Sequence, residues 1–327
     1  MYYTGSKHEE SGSAIRIFNS NNIIVENCTF DNTRSKQTVG GAILVNIANY
    51  ITIRNCGFSN IHSGSSGGAI DFYPLSEYTH SNLIENCNFY DCSGGNGGAI
   101  ELYTKSSTVK NCTFELCQAG FSDVSSGGGI VLYDGCDDNK ILDCIFKYCT
   151  GAIGGAICVN NANSRNLNVS NCLFINNTAE ITGGAIHVSS ANPVIFNSTF
   201  INNSASEGGA VRFSANNGQM INCTYINNTA TVDGGGLCSQ ATGSVFDGCS
   251  FSGNNASKGP DFYGHGMPIT FRNMFFTSLW LTNSNYTTTD SYNHTLSYGF
   301  GTSWDQPARW DENVTAYLKK NTHCTIY

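Results

Sequence analysis

Two acidic residues hold the best positions for bond-cleaving chemistry. Asp71 and Glu101 each follow the isoleucine of a Gly-Gly-Ala-Ile phrase, at Gly67–Ile70 and Gly97–Ile100. If the phrases stack as neighbouring strands, the carboxylates stand one strand spacing apart, about 5 Å. Such a pair suits hydrolytic acid–base work or a shared hold on calcium. The plainer expectation is two solvated residues on the outer side of a strand. His62, His80 and His187 are scattered, with no nucleophile in register. The 15 cysteines form no Cys-x-x-Cys pair and no His/Cys spacing suited to zinc. Beyond the Asp71/Glu101 alternative no catalytic residue is assigned, and no cofactor or metal is expected.

What must position these residues is a repeat. Gly-Gly-Ala-Ile stands at Gly40–Ile43, Gly67–Ile70, Gly97–Ile100, Gly154–Ile157 and Gly183–Ile186. Variants stand at Gly127–Ile130, Gly208–Val211 and Gly234–Leu237. The first glycines are 27, 30, 30, 27, 29, 25 and 26 residues apart, the period of a stacked array. A second phrase lies between them, beginning Asn27-Cys28-Thr29-Phe30 and recurring through Asn171-Cys172-Leu173-Phe174 to Gly248-Cys249-Ser250-Phe251. Its first position holds only Asn, Asp or Gly, which reach the left-handed backbone region at low cost. Each rung is therefore expected to bend there through one left-handed residue. Two residues earlier the chain is apolar in every copy, from Val25 and Ile53 to Met220 and Phe246. The period-two alternation on both sides of the bend means strand.

The fold class that follows is all-β. Three short strands per rung, with no amphipathic helix between them, define a right-handed parallel β-helix, a solenoid of about nine to ten rungs. The repeat domain is expected over residues 12–263. Residues 264–327 form a C-terminal cap or tail, with all three tryptophans and a possible short helix carrying Trp310, Val314, Tyr317 and Leu318. An aromatic sugar-binding platform is the alternative reading of that tail.

Charged residues make up 12% of the chain and the formal net charge is −8, without the basic clustering that nucleic acid requires. No run approaches the ~20 apolar residues of a membrane-spanning helix. The start shows no basic segment followed by an apolar one, so an export signal and an anchor are not visible in this chain. Cys28, Cys56, Cys87, Cys112, Cys144, Cys172, Cys223 and Cys249 form an inward column, read as small reduced hydrophobes rather than disulfides. Twelve Asn-x-Ser/Thr sequons occur. Four of them (Asn27, Asn111, Asn197, Asn222) fall in the bend column, where a glycan would oppose stacking. That leaves Asn168, Asn176, Asn202, Asn227, Asn255, Asn285, Asn293 and Asn313 as candidate acceptors.

The pairing of GGA[ILV] with FxxN resembles the repeats of chlamydial polymorphic outer membrane proteins and of related trichomonad and archaeal surface proteins. FxxN stands intact at Phe174–Asn177, Phe200–Asn203 and Phe251–Asn254, and as Tyr225–Asn228. The resemblance implies a β-helix at the cell surface or outside the cell, adhesin-like, contacting a host-cell, matrix or glycan ligand. The runner-up is a polysaccharide lyase or glycoside hydrolase on the same scaffold. Asp137-Asp138 and Gly264-His265-Gly266 are similar to polygalacturonase motifs, but five rungs separate them. The loops Phe72–His80, Cys117–Ser126 and Asp134–Asp138 interrupt three adjacent rungs and mark the candidate contact surface.

Overall fold

The computed structural model describes residues 2–4, 7–8 and 14–299, apart from 36–39, 65, 74–78, 121–126, 160–162, 266–268, 273, 275–278, 283–284 and 290–294. Its strands stack in register into four long sheets of 10, 9, 11 and 12 strands. Every rung-to-rung pairing is parallel; Asn285–Thr289 with Thr295–Gly299 forms an antiparallel pair at the end. No helix occurs among the described residues. The fold is a β-solenoid, as the period-two pattern and the 25–30-residue repeat require.

The glycine phrases build one wall. Ile43, Ile70, Ile100, Ile130, Ile157, Ile186, Val211 and Leu237 follow one another in register. Gly154, Gly183, Gly208 and Gly234 have positive φ, 63–70°, at the turn into it. The second glycine is required for a different reason. A Cβ on Gly68 would lie 1.9 Å from the Gly98 carbonyl oxygen, so rungs approach there too closely for any side chain.

The second and third walls flank the Asn bend. Val25, Ile53, Ile84, Val109, Ile141, Val169, Ile195, Met220 and Phe246 are buried on one. On the other, Phe30, Phe58, Phe89, Phe114, Phe146, Phe174, Phe200, Tyr225 and Phe251 stack ring on ring. Successive centroids lie 4.5–5.0 Å apart, with planes within 10°. Each stacked pair adds about 0.5–1.5 kcal/mol beyond its area burial. All fourteen described cysteines are free thiols, and thirteen are buried.

One expectation is corrected and another extended. A rung has four strands, not three: a short one follows the aromatic strand, as at His62–Ser63, Ser93–Gly94 and Ser204–Glu207. The expected left-handed bend is present, and besides the glycine turn it is one of three such corners in a rung, spaced five residues apart. Asn166, Asn171 and Asn176 are one set; Asn192, Asn197 and Asn202 the next; Asn217, Asn222 and Asn227 the third. The reason is geometric. A strand of three residues leaves two for each corner, so successive bends fall five residues apart. The first and third corners also admit Tyr50, Ser81, Ser106, Leu116 and Tyr148, which hides them from composition.

Parallel pairing also runs past residues 12 and 263. Tyr2–Thr4 pairs with Thr29–Asp31, and Phe262–His265 pairs with both Leu237–Ser239 and Leu279–Thr282. Gly259, at φ +55°, turns the chain as the earlier glycines do, with Phe262 in the isoleucine position. The possible helix around Trp310 lies outside the described residues.

Candidate functional site

A solenoid strand turns alternate residues inward and outward. On the glycine wall the outward row is Leu44, Asp71, Glu101, Val131, Cys158, His187, Arg212 and Cys238. Its two acidic members were expected to be solvated, yet every member of the row is buried. Asp71 is 0% and Glu101 1% exposed. On the later rungs the chain just before the glycine phrase lies over the wall. Thr182 Oγ1 lies 2.8 Å from His187 Nδ1, and Glu207 makes a 3.0 Å ion pair with Arg212. A Cβ on Gly67 would sit 3.0 Å from the Glu101 Cβ, so the first glycine of the phrase packs directly on Glu101.

Asp71 and Glu101 are partners in register on adjacent strands, as the sequence placed them. Neither Asp71 oxygen, nor Glu101 Oε2, has a donor at hydrogen-bonding geometry. Burial pushes the Asp71 carboxyl well above its usual range, and the Glu101 charge beside it adds to that. Burial likewise pushes Glu101 up to about 7; the nearby Ser66 hydroxyl, Asn96 side chain and Gly67 N–H oppose the shift only in part. Such a pair is held at least partly protonated near neutrality, beneath a lid that leaves no carboxyl surface to solvent.

The opposite half of the row is better served. Arg212 Nη1 also reaches Cys238 Sγ at 2.6 Å, while burial holds His187 neutral, its value lowered to about 3. His62 instead bonds Ser93 Oγ at 2.6 Å, and His80 packs edge-on against Tyr50 at 5.4 Å, so the three histidines share no site. No group of three or more His, Cys, Asp or Glu among the described residues is arranged to hold a metal ion.

Sequence reasoning missed a row of tyrosines. Tyr73, Tyr103 and Tyr133 stand three places after Ile70, Ile100 and Ile130, on the outer side and partly exposed. Tyr103 and Tyr133 stack at 4.2 Å, and Tyr73 meets Tyr103 edge-on at 6.1 Å. The repeat spacing was the signal that could have found them. Beside them lie the Lys105–Asp137 ion pair at 3.5 Å and an Asn163 Nδ2 to Asp134 bond at 3.1 Å. Of the interrupting loops, 74–78 and 121–126 lie outside the described residues; 134–138 is described and borders the tyrosine row.

The candidate acceptor asparagines divide. Asn202, Asn227 and Asn255 are exposed, and Asn168 and Asn176 partly so. Asn285 lies in a described strand, while Asn293 and Asn313 fall outside the described residues.

The fold and this covered wall define a class. The chain belongs to the right-handed β-helix family: the right handed beta helix region matches residues 4–205. No curated protein matches it by sequence. Similar solved structures include Geobacillus virus E2 ORF18, at 13% identity and TM-score 0.48, covering 82% of this chain and 54% of that one. The chain thus spans about half of that relative's length. Another is the alginate lyase AlyF-OU02, at 15% identity and TM-score 0.48, covering 89% and 72%. A third is PfbA, a surface adhesin of Streptococcus pneumoniae, at 12% identity and TM-score 0.46, covering 81% of each chain. No helix among the described residues is long and apolar enough to cross a membrane.

Proposed function

We propose that this β-helix is a non-enzymatic, adhesin-like binding protein displayed at a cell surface or secreted. The observation that carries the reading is the sealing of Asp71 and Glu101: the best carboxyl pair in the chain presents no surface to a substrate. The contact surface of this reading is on the same wall, where Tyr73, Tyr103, Tyr133, Asp134, Asp137 and Asp138 reach solvent. Half-buried tyrosines on a rigid scaffold supply contact area at low entropic cost, and loops between them supply specificity. A ligand on a host cell, in the matrix or on a glycan surface fits this role. A polysaccharide lyase or hydrolase is the alternative, and it requires the cover over Asp71 to open.

The test offers the purified chain polygalacturonate and other acidic or neutral glycans, with and without calcium, and measures binding to cells and matrix in parallel. The expected result is no turnover, together with binding that Tyr103→Ser and Tyr133→Ser weaken. Cleavage that Asp71→Asn or Glu101→Gln abolishes would establish the enzyme instead.

A further inference from the structure

Three sequons repeat one pattern on consecutive rungs: Ile175-Asn176-Asn177-Thr178, Ile201-Asn202-Asn203-Ser204 and Ile226-Asn227-Asn228-Thr229. In each, the first Asn occupies the third left-handed corner, with φ of 53–55°. The second Asn turns inward and is buried. The hydroxyl residue turns out again, and Thr178 Oγ1 stacks 3.1 Å from Ser204 Oγ. Acceptor and hydroxyl therefore both face solvent in the finished fold.

The middle corner differs. There Asn111 Nδ2 donates to Asn86 at 2.6 Å and Asn197 Nδ2 to Asn171 at 2.9 Å, so these two amide nitrogens serve the ladder. No such bond links Asn176, Asn202 and Asn227. Beside them Ile175, Ile201 and Ile226 form a partly exposed apolar stripe in register on adjacent strands. One corner earlier, on the neighbouring wall, Phe196 is 38% exposed.

We propose that this corner is a row of N-glycan acceptors filled on alternate rungs: Asn176 and Asn227 carry glycans, Asn202 stays bare, and the sugars shield the isoleucine stripe. In the transfer the Asn Nδ2 displaces a polyprenyl pyrophosphate from the anomeric carbon of its oligosaccharide. The carbon–oxygen bond to pyrophosphate breaks, the carbon–nitrogen bond forms, and one amide proton is released. Alternation follows from spacing. Rings on these rungs stack 4.9 Å apart, too close for sugar rings on neighbouring asparagines, whereas two rungs give about 10 Å. At the middle corner Asn111 and Asn197 are excluded by their hydrogen bonds: a sugar there would stand where the amide nitrogen meets the preceding rung.

The test secretes the full chain from a eukaryotic host and reads glycopeptides and intact mass. A fraction retained in the cell is digested and read the same way. Glycans on Asn176 and Asn227 of the same molecule, with Asn202 bare, are expected. The double variant Asn176→Asp/Asn227→Asp keeps residues tolerant of the left-handed corner and should raise Asn202 occupancy severalfold. Asn202 modified together with either neighbour on one molecule would overturn the proposal. So would all three bare, whether or not Asn255 is modified.

Discussion

At the third corner, the residue turned into the core is Thr33, Ile61, Cys92, Cys117 and Cys149 in the first half of the rod and Asn177, Asn203, Asn228 and Asn254 in the second. The backbone is the same; the chemistry is not. Asn203 Oδ1 accepts from Asn177 N–H and Asn177 Nδ2, both at 2.9 Å, and Asn203 Nδ2 donates to Phe174 O and Asn228 Oδ1 at 3.1 and 3.0 Å. The amides form a continuous ladder in which the buried polar groups at the corner are met. Cys117 Sγ, in the equivalent place, reaches Phe89 O at 3.7 Å and Glu115 O at 3.6 Å, long even for sulfur donors. The thiol half fills the corner; the amide half fills it and bonds it.

The largest expected effect tests that difference. Asn203→Ala leaves a buried N–H and a carbonyl without partners and should cost about 3 kcal/mol. Cys117→Ala removes one small group with weak bonds and should cost about 1 kcal/mol. Urea melts of the two variants read both. Equal losses would mean that the amide ladder adds nothing to packing.

The outer row of the glycine wall repeats the contrast with ionisable groups. Asp71 and Glu101 in the first half are incompletely served, with both Asp71 oxygens and Glu101 Oε2 short of well-placed donors, whereas His187 and Arg212 in the second have Thr182 and Glu207. Their linkage to pH has opposite sign. Glu101 is raised from 4.5 to about 7, and Asp71 is raised too. The folded state keeps protons that the unfolded chain releases, so this stability is full below about pH 4 and is lost as pH rises toward 7. His187 is lowered from 6.5 to about 3, so its contribution is present above pH 6.5 and is lost on acidification. Asp71→Asn/Glu101→Gln should therefore leave a protein that only weakens as pH falls from 7 to 4. His187→Gln should leave one that gains over the same range. Denaturation midpoints at several pH values decide, and unchanged slopes in both variants would refute the assignment.

How much of this was legible follows from the same residues. The stacked Phe column, the buried Ile columns and the Asn171-type bend were readable because one residue type recurs at each position. FxxN was readable as a motif, and the structure gives its meaning: Asn177 and Asn203 are buried amides of the ladder, and Asn254 is its half-buried last step. The burial of Asp71 and Glu101 was not readable, because alternation fixes only which side of the strand they take. What lies over that side depends on the fold-back before Gly67, which has no period of its own. The Tyr73, Tyr103 and Tyr133 row spans three rungs only, too few to stand out among 16 tyrosines.

The smallest effect concerns the left-handed corner where the two halves meet. Tyr148 sits there at φ 55°, between Leu116 at 56° and Asn176 at 54°. An L-residue with a large side chain pays about 1–2 kcal/mol for that conformation, whereas Asn is relieved of part of it by local hydrogen bonding. Tyr148 is 48% exposed, so its ring recovers little of the cost through packing. Tyr148→Asn should therefore stabilise the rod by about 1 kcal/mol, extending the asparagine column one rung toward the thiol half. The reciprocal Asn202→Tyr, made in unglycosylated protein, should lose a similar amount. Paired thermal melts give both signs. A loss on Tyr148→Asn would show that the exposed ring packs on its neighbours strongly enough to outweigh the backbone strain, and that the first half of the column is held by side chains rather than by corner geometry.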